Sequence, residues 1–162
     1  MTHSELVQKV FRDPVHWPAF GFGLGLAPKA PGTFGSLLGL PIWWFGWSYG
    51  IAAYLLLALL LFVVGIWICG ESAKRLGVHD HGGIVWDEVV GMMLTMTFVE
   101  PSIISAVLGF GLFRLMDIAK PWPILDIDHR LHGGFGIMLD DVLAAVYAGV
   151  ALAGIQYLLV NL

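Results

Sequence analysis

The sequence predicts an all-α, polytopic integral membrane bundle: two helical hairpins and a C-terminal helix, joined by glycine-rich loops on the cytoplasmic side. Three observations predict it. Of 162 residues, 58% are hydrophobic and only 12% charged, about half the charge of a soluble domain. Residues 30–70 and 142–162 carry no charge at all. Glu100 apart, the charged residues fall into stretches that two hairpins return to one side, and every Lys and Arg lies there, which makes that side cytoplasmic. The length suits a single domain over 1–162, with 1–20 as a polar N-terminal arm.

The arm carries Glu5, Lys9, Arg12, Asp13, Pro14 and Pro18 and has no apolar core of its own, so it is not a cleaved signal peptide. A short helix over 4–11, capped by Ser4, fits it, and His16, Trp17 and Phe20 suit a lipid–water boundary. Residues 21–36 are dense in glycine and proline and read as a non-helical loop. Their Gly-x-Gly-x-Gly lacks the strand and βαβ unit of a dinucleotide site. Thr33 or Ser36 can cap the helix that follows, and a glycine loop entering a helix N-terminus suits phosphate. A plain connecting loop fits the same residues.

Helices over about 35–46 and 50–70 form the first hairpin, broken at residues 46–50. Only the second is long enough to cross about 30 Å of hydrocarbon unaided. A second hairpin pairs about 86–99 with 102–120, turning at Glu100-Pro101-Ser102. Asp87 and Glu88 open its first helix, and Arg114, Asp117 and Lys120 close its second, so all five share one level. The i, i+3 spacing puts the last three on one face. Pro121-Trp122-Pro123 stops that helix, 124–136 read as a polar loop, and a last helix over 139–160 follows Asp140-Asp141.

The cytoplasmic end thus collects Asp80, Asp87, Glu88, Asp117, Asp140 and Asp141. Carboxylates near hydrocarbon are costly and usually functional. Oxygen ligands without cysteine favour a hard cation such as Mg2+, and the neighbouring Lys and Arg favour an anion. The competing explanation is structural ion pairing, Glu88 with Arg114 between helices or Asp117 with Lys120 along one. His79, His81, His129 and His132 lack the spacing of a zinc helix. Cys69, the one cysteine, lies within an apolar helix and reads as packing, which excludes a thiolate nucleophile and a disulfide framework. Asp126-Ile127-Asp128 has the Asp-x-Asp spacing of haloacid dehalogenases without their preceding strand. A net charge of −4 gives no argument for nucleic acid. A cation or proton transporter would place polar residues at mid-helix and on both sides, unlike this chain.

Three segments carry a family resemblance. Residues Ala27-Pro28-Lys29-Ala30-Pro31-Gly32-Thr33-Phe34-Gly35-Ser36-Leu37 resemble the first motif of phosphatidylglycerophosphatase A. The run from His79 through Asp80, Asp87 and Glu88 to Gly91 is similar to the second. The third is matched by the run from Phe113 through Arg114, Asp117 and Lys120 to Ile124, then His132 to Asp141. The resemblance covers nearly all of 20–150. It implies a bacterial inner-membrane, multi-pass lipid phosphatase with its site facing the cytoplasm. That enzyme would convert phosphatidylglycerophosphate to phosphatidylglycerol and phosphate with Mg2+; a related lipid phosphotransferase would use the same chemistry. On this basis Glu88, Asp141 and either Asp140 or Asp87 are expected to hold Mg2+. Lys29, Gly32, Thr33, Arg114 and Lys120 are expected to bind substrate phosphate, and Asp80 or Asp117 to act as general acid or base.

Overall fold

The computed structural model describes residues 2–78 and 80–161, without the side chains of 128, 129, 160 and 161. Among these residues it is helical throughout, with no strand. Helix α1 (His3–Arg12) starts one residue earlier than its sequence suggests because Thr2, not Ser4, caps it. Thr2 Oγ1 accepts the Glu5 N–H and Glu5 Oε2 accepts the Thr2 N–H, a capping box. Leu6 and Val10 are buried. The arm is fastened to the chain's first long helix. Arg75 forks onto both oxygens of Asp13 (2.9 and 2.8 Å), and Lys9 Nζ donates to Arg75 O (2.8 Å). In α2 (His16–Ala19), His16 is fully buried with Nδ1 2.7 Å from Ser72 Oγ. Phe20 is buried too, so of the three rings expected at the lipid boundary only Trp17 is exposed.

Residues Gly21–Leu26 form a 3-10 turn rather than open loop, and α3 (Pro31–Gly46) begins inside the glycine-rich stretch. Neither Thr33 nor Ser36 caps it. Pro31 occupies the first turn, Ala30 precedes it in the left-handed region, and Ser36 Oγ donates back to Gly32 O. Helix α4 (Ile51–Leu76) continues past Gly70 because Glu71–Leu76 are strong helix formers, and it stops at left-handed Gly77. Helix α5 (Trp86–Thr95) is only ten residues, extended by a 3-10 turn at Met96–Phe98. Ser102 caps α6 (Ile103–Ala119), which ends at Lys120 in the left-handed region before Pro121. The expected polar loop contains α7 (Ile124–Arg130).

Helix α8 (Gly133–Asn161) begins six residues before its expected start. Gly134 is there for contact: a Cβ on it would run into Ile66 O and lie 2.8 Å from Gly70 N of α4. Helices α4 and α8 are long and apolar enough to cross a membrane. Helix α8 is the centre of the bundle, packed against α4, α5 and α6, while α3 packs mainly on α5. The expected α3–α4 hairpin is therefore consecutive in sequence but largely separated in space, with α5 between. Small residues let the helices approach closely, backbone to backbone. Gly35 and Gly39 of α3 sit on Val85, Val89 and Met92, and Ala144, Ala145 and Ala148 of α8 are fully buried.

Candidate active site

The second helical pair brings its charges to one level, as antiparallel packing requires. Arg114 Nη1 of α6 is 4.0 Å from Glu88 Oε1 of α5 and 2.5 Å from Asp117 Oδ2, one turn along its own helix. It also reaches Ser36 Oγ of α3 at 3.5 Å. Helix α3 comes this close because residue 32 has no side chain: a Cβ there would collide with Glu88 Oε1 and lie 3.0 Å from Arg114 Nη1.

Asp141 enters from α8. One oxygen from each of Asp87, Glu88 and Asp141 lies within 4.8 Å of the others. Asp87 and Asp141 are buried and Glu88 nearly so. Asp87 Oδ1, Glu88 Oε2 and Asp141 Oδ2 have no contact with solvent and accept no hydrogen bond. Three carboxylates in such a space repel one another strongly at low dielectric. A cation between them offsets that repulsion, and an all-oxygen donor set fits a hard divalent ion. Arg114 Nε is likewise buried without a partner, which leaves donor capacity for an anion beside the cluster.

Asp140 has a different position. Neighbours on a helix point about 100° apart, so Asp140 and Asp141 cannot aim at one point. Asp140 Oδ2 accepts from Lys120 Nζ (2.7 Å), and Oδ1 accepts the Asp141 N–H (3.0 Å). Lys120 was grouped with Asp117 by its spacing. The helix ends at this residue, the backbone swings into the left-handed region, and the ammonium reaches α8 instead. Thr33 is half-buried in the first turn of α3, one residue after Gly32. Lys29 and Asp80 are exposed, in the loops ahead of α3 and α5. His79 lies outside the described residues, as do the side chains of Asp128 and His129, so three of the residues weighed for zinc or Asp-x-Asp chemistry are not part of this picture.

The sequence reading missed Ser36 as a partner of Arg114. The Gly32-x-x-Gly35-x-x-x-Gly39 spacing was the available signal, since it marks the α3 face that packs on α5. Gly91 is a second case: a Cβ there would lie 3.2 Å from Asp141 Cβ, so a bare α5 lets α8 present its carboxylate. Cys69 is buried with its sulfur 3.8 Å from Met138 Sδ, in keeping with a packing role.

Residues 17–156 match the family model described as phosphatidylglycerophosphatase A. The phosphatidylglycerophosphatase A of Escherichia coli (strain K12) is 44% identical over 146 residues, which cover 90% of this chain and 83% of that one. That of Haemophilus influenzae is 42% identical over 160 residues, covering 97% of this chain and 98% of the relative. No solved structure matches the chain.

Proposed function

Because this chain belongs to the phosphatidylglycerophosphatase A family, we propose that its Asp87–Glu88–Asp141 cluster, with Mg2+, releases the terminal phosphate of phosphatidylglycerophosphate. The chain is a lipid phosphatase, a hydrolase of phospholipid metabolism. The observation that carries the site assignment is the convergence of three carboxylates, each with a buried oxygen that accepts no hydrogen bond, beside an arginine whose buried Nε–H has no partner.

Asp87, Glu88 and Asp141 would hold the ion. When bound, it supplies charge neutralisation at the phosphate oxygens and eases departure of the glycerol alkoxide. The chain's own residues do the rest. Arg114, held by Asp117 on one side and Ser36 on the other, presents its open edge to the phosphate as a fixed donor. Lys120, held by Asp140, adds a second cation. Thr33 and the first turn of α3 contribute hydroxyl and backbone N–H groups. Lys29, exposed ahead of that turn, attracts the anionic headgroup. Asp117 accepts a proton from the attacking water, with Asp80 as the alternative acid or base. In the net reaction a water oxygen bonds to phosphorus, the ester P–O bond breaks, and the proton ends on the glycerol oxygen.

The same reading makes the protein a multi-pass bundle whose charged loops face the cytoplasm, a reading supported by the clustering of Lys and Arg in those loops. The test is phosphate release by purified protein from phosphatidylglycerophosphate, a lysophosphatidate and a soluble phosphomonoester, with and without Mg2+. Mg2+-dependent preference for the first is the expected result. Equal rates on all three, or full activity in chelator, overturn it.

A further inference from the structure

The acid cluster lies far down the bundle. Trp86, the residue before Asp87, donates its indole N–H to Leu61 O of α4 (3.1 Å). A Cβ on Gly65 would touch both Trp86 and Met138, the latter one turn before Asp141. Val142 lines one cavity with Ala58, Leu59 and Phe62. The carboxylates are therefore level with the Leu61–Gly65 segment of α4. Glu71, the first charge on α4, is ten residues beyond Leu61, about 15 Å along the axis. The charge-free segment Ile51–Gly70 spans about 30 Å, the thickness of the hydrocarbon. By this measure the cluster sits near the middle of the span.

Over the α4–α5 side the site is covered. Val85 N–H donates to Ala19 O, and Gly83 packs onto Gly25 and Phe20. Between α3 and α6 the cover is thin, with the 3.5 Å approach of Arg114 to Ser36 bridging the two helices. Outward of that bridge stand Leu37 on α3 (43% exposed) and Leu115 and Ile118 on α6 (57% and 71%). A Cβ on the exposed Gly111 would meet nothing within 4 Å. The seam is thus apolar on its outer edge and leads inward to Arg114 beside the three carboxylates, where the divalent ion proposed above would offset their charge and let a phosphate approach.

We propose that the lipid substrate reaches the cluster sideways from within the bilayer, through the seam between α3 and α6. Its acyl chains lie against Leu37, Leu115 and Ile118, and its phosphate is drawn inward to Arg114. Arg114, together with the divalent ion that the three carboxylates would hold, draws the headgroup below the interface, and the open space over Gly111 admits the chains. This inference rests on the proposed phosphatase chemistry at the cluster.

Gly111→Trp tests it, because Gly111 shares the exposed α6 face with Leu115 and Ile118, and a Cβ there meets nothing within 4 Å. Gly154→Trp is the control, at an exposed glycine that also has nothing within 4 Å and lies about 20 Å beyond Asp141 on α8. The ratio of kcat/KM for phosphatidylglycerophosphate to that for acyl-free glycerol phosphate should fall at least tenfold in Gly111→Trp and stay unchanged in Gly154→Trp. If the acyl-free ester is not turned over, the fall is read on the lipid alone against the control. An equal fall on both substrates, or none, overturns lateral entry. Spin labels at Ile118→Cys and at Lys74→Cys, in the exposed charged end of α4, provide a readout independent of activity in reconstituted vesicles. Ile118 should be relaxed more by oxygen than by an aqueous nickel chelate, and Lys74 the reverse. Greater nickel access at Ile118 overturns the depth assignment. Full activity in Glu88→Gln would instead strike the metal cluster and leave the depth result standing.

Discussion

Replacing Asp141 by Asn should make the protein more stable without metal while removing its activity. The carboxylate oxygens of Asp87, Glu88 and Asp141 lie within 4.8 Å of one another, and Asp141 belongs to two of the three pairs. At an effective dielectric near 20, two unit charges at that separation repel by about 3.5 kcal/mol. Side-chain movement and penetrating water absorb most of this, leaving an expected gain of about 1–3 kcal/mol for removing one charge. For a chain of this size each kcal/mol moves Tm by about 2–4 °C. In detergent with chelator, Asp141→Asn should therefore melt several degrees above the wild type. Adding Mg2+ should raise the wild type and leave the variant nearly unmoved. Phosphate release should fall by about 100-fold or more. The reasoning would be refuted by a variant less stable than the wild type in chelator, together with a wild type indifferent to Mg2+. That result would mean the three carboxylates do not face one another as charges.

Gly32→Ala places a methyl group into Glu88 Oε1 and 3.0 Å from Arg114 Nη1; activity should drop at least tenfold with membrane expression retained, and an unaffected rate would show that α3 does not press on the site. Lys120→Ala should raise KM more than it lowers kcat, and Asp140→Asn should do the same more mildly, because Asp140 holds the ammonium. A changed Mg2+ dependence in Asp140→Asn would return Asp140 to the metal. The arm should loosen in mild acid. Burial holds the His16 imidazole below its ordinary 6.5, Lys9 and Arg75 push the same way, and Asp13 opposes them. The folded state thus binds fewer protons than the unfolded one, so this contribution is complete above about pH 6.5 and is lost as pH falls below it. Limited proteolysis of residues 1–20 should be faster at pH 5.5 than at pH 7.5, and His16→Gln should flatten the difference.

Much of the helical framework was legible because its signals are local. A charge-free run, a proline stop or a capping box acts within a few residues, so α3, α4, α5 and α6 lie close to where the pattern puts them. The misjudged boundaries are those where a distant contact overrides propensity. Gly133–Gly136 reads as loop, yet forms the first turn of α8 because Gly134 must lie on the α4 backbone at Ile66 and Gly70. The 124–136 loop hides α7 for want of an apolar stripe long enough to mark it. His16 and Phe20 read as interfacial rings, yet they are core, since Ser72 and the buried apolar cluster receive them.

The candidate site divides the same way. Antiparallel pairing alone puts Glu88 and Arg114 at one level, and their 4.0 Å separation follows from it. Spacing could not say which carboxylates converge, because that depends on how α8 is rotated about its axis.

By itself the sequence determined an all-helical chain with two helices apolar enough for a membrane, the family to which it belongs, and the set of acids and bases available. Each follows from composition, short-range spacing or motif, which are properties of the chain as a string. Only the tertiary structure decided that α3 packs on α5 rather than α4, and that Asp87 joins Glu88 and Asp141 while Asp140 turns to Lys120. The depth of that cluster, level with the middle of α4, was also decided there. The physical reason is one of phase and register. Helix rotation and axial offset are set by side chains meeting across interfaces, here Gly32 on Glu88, Gly65 on Trp86 and Gly91 on Asp141, and these pairs lie tens of residues apart in the chain.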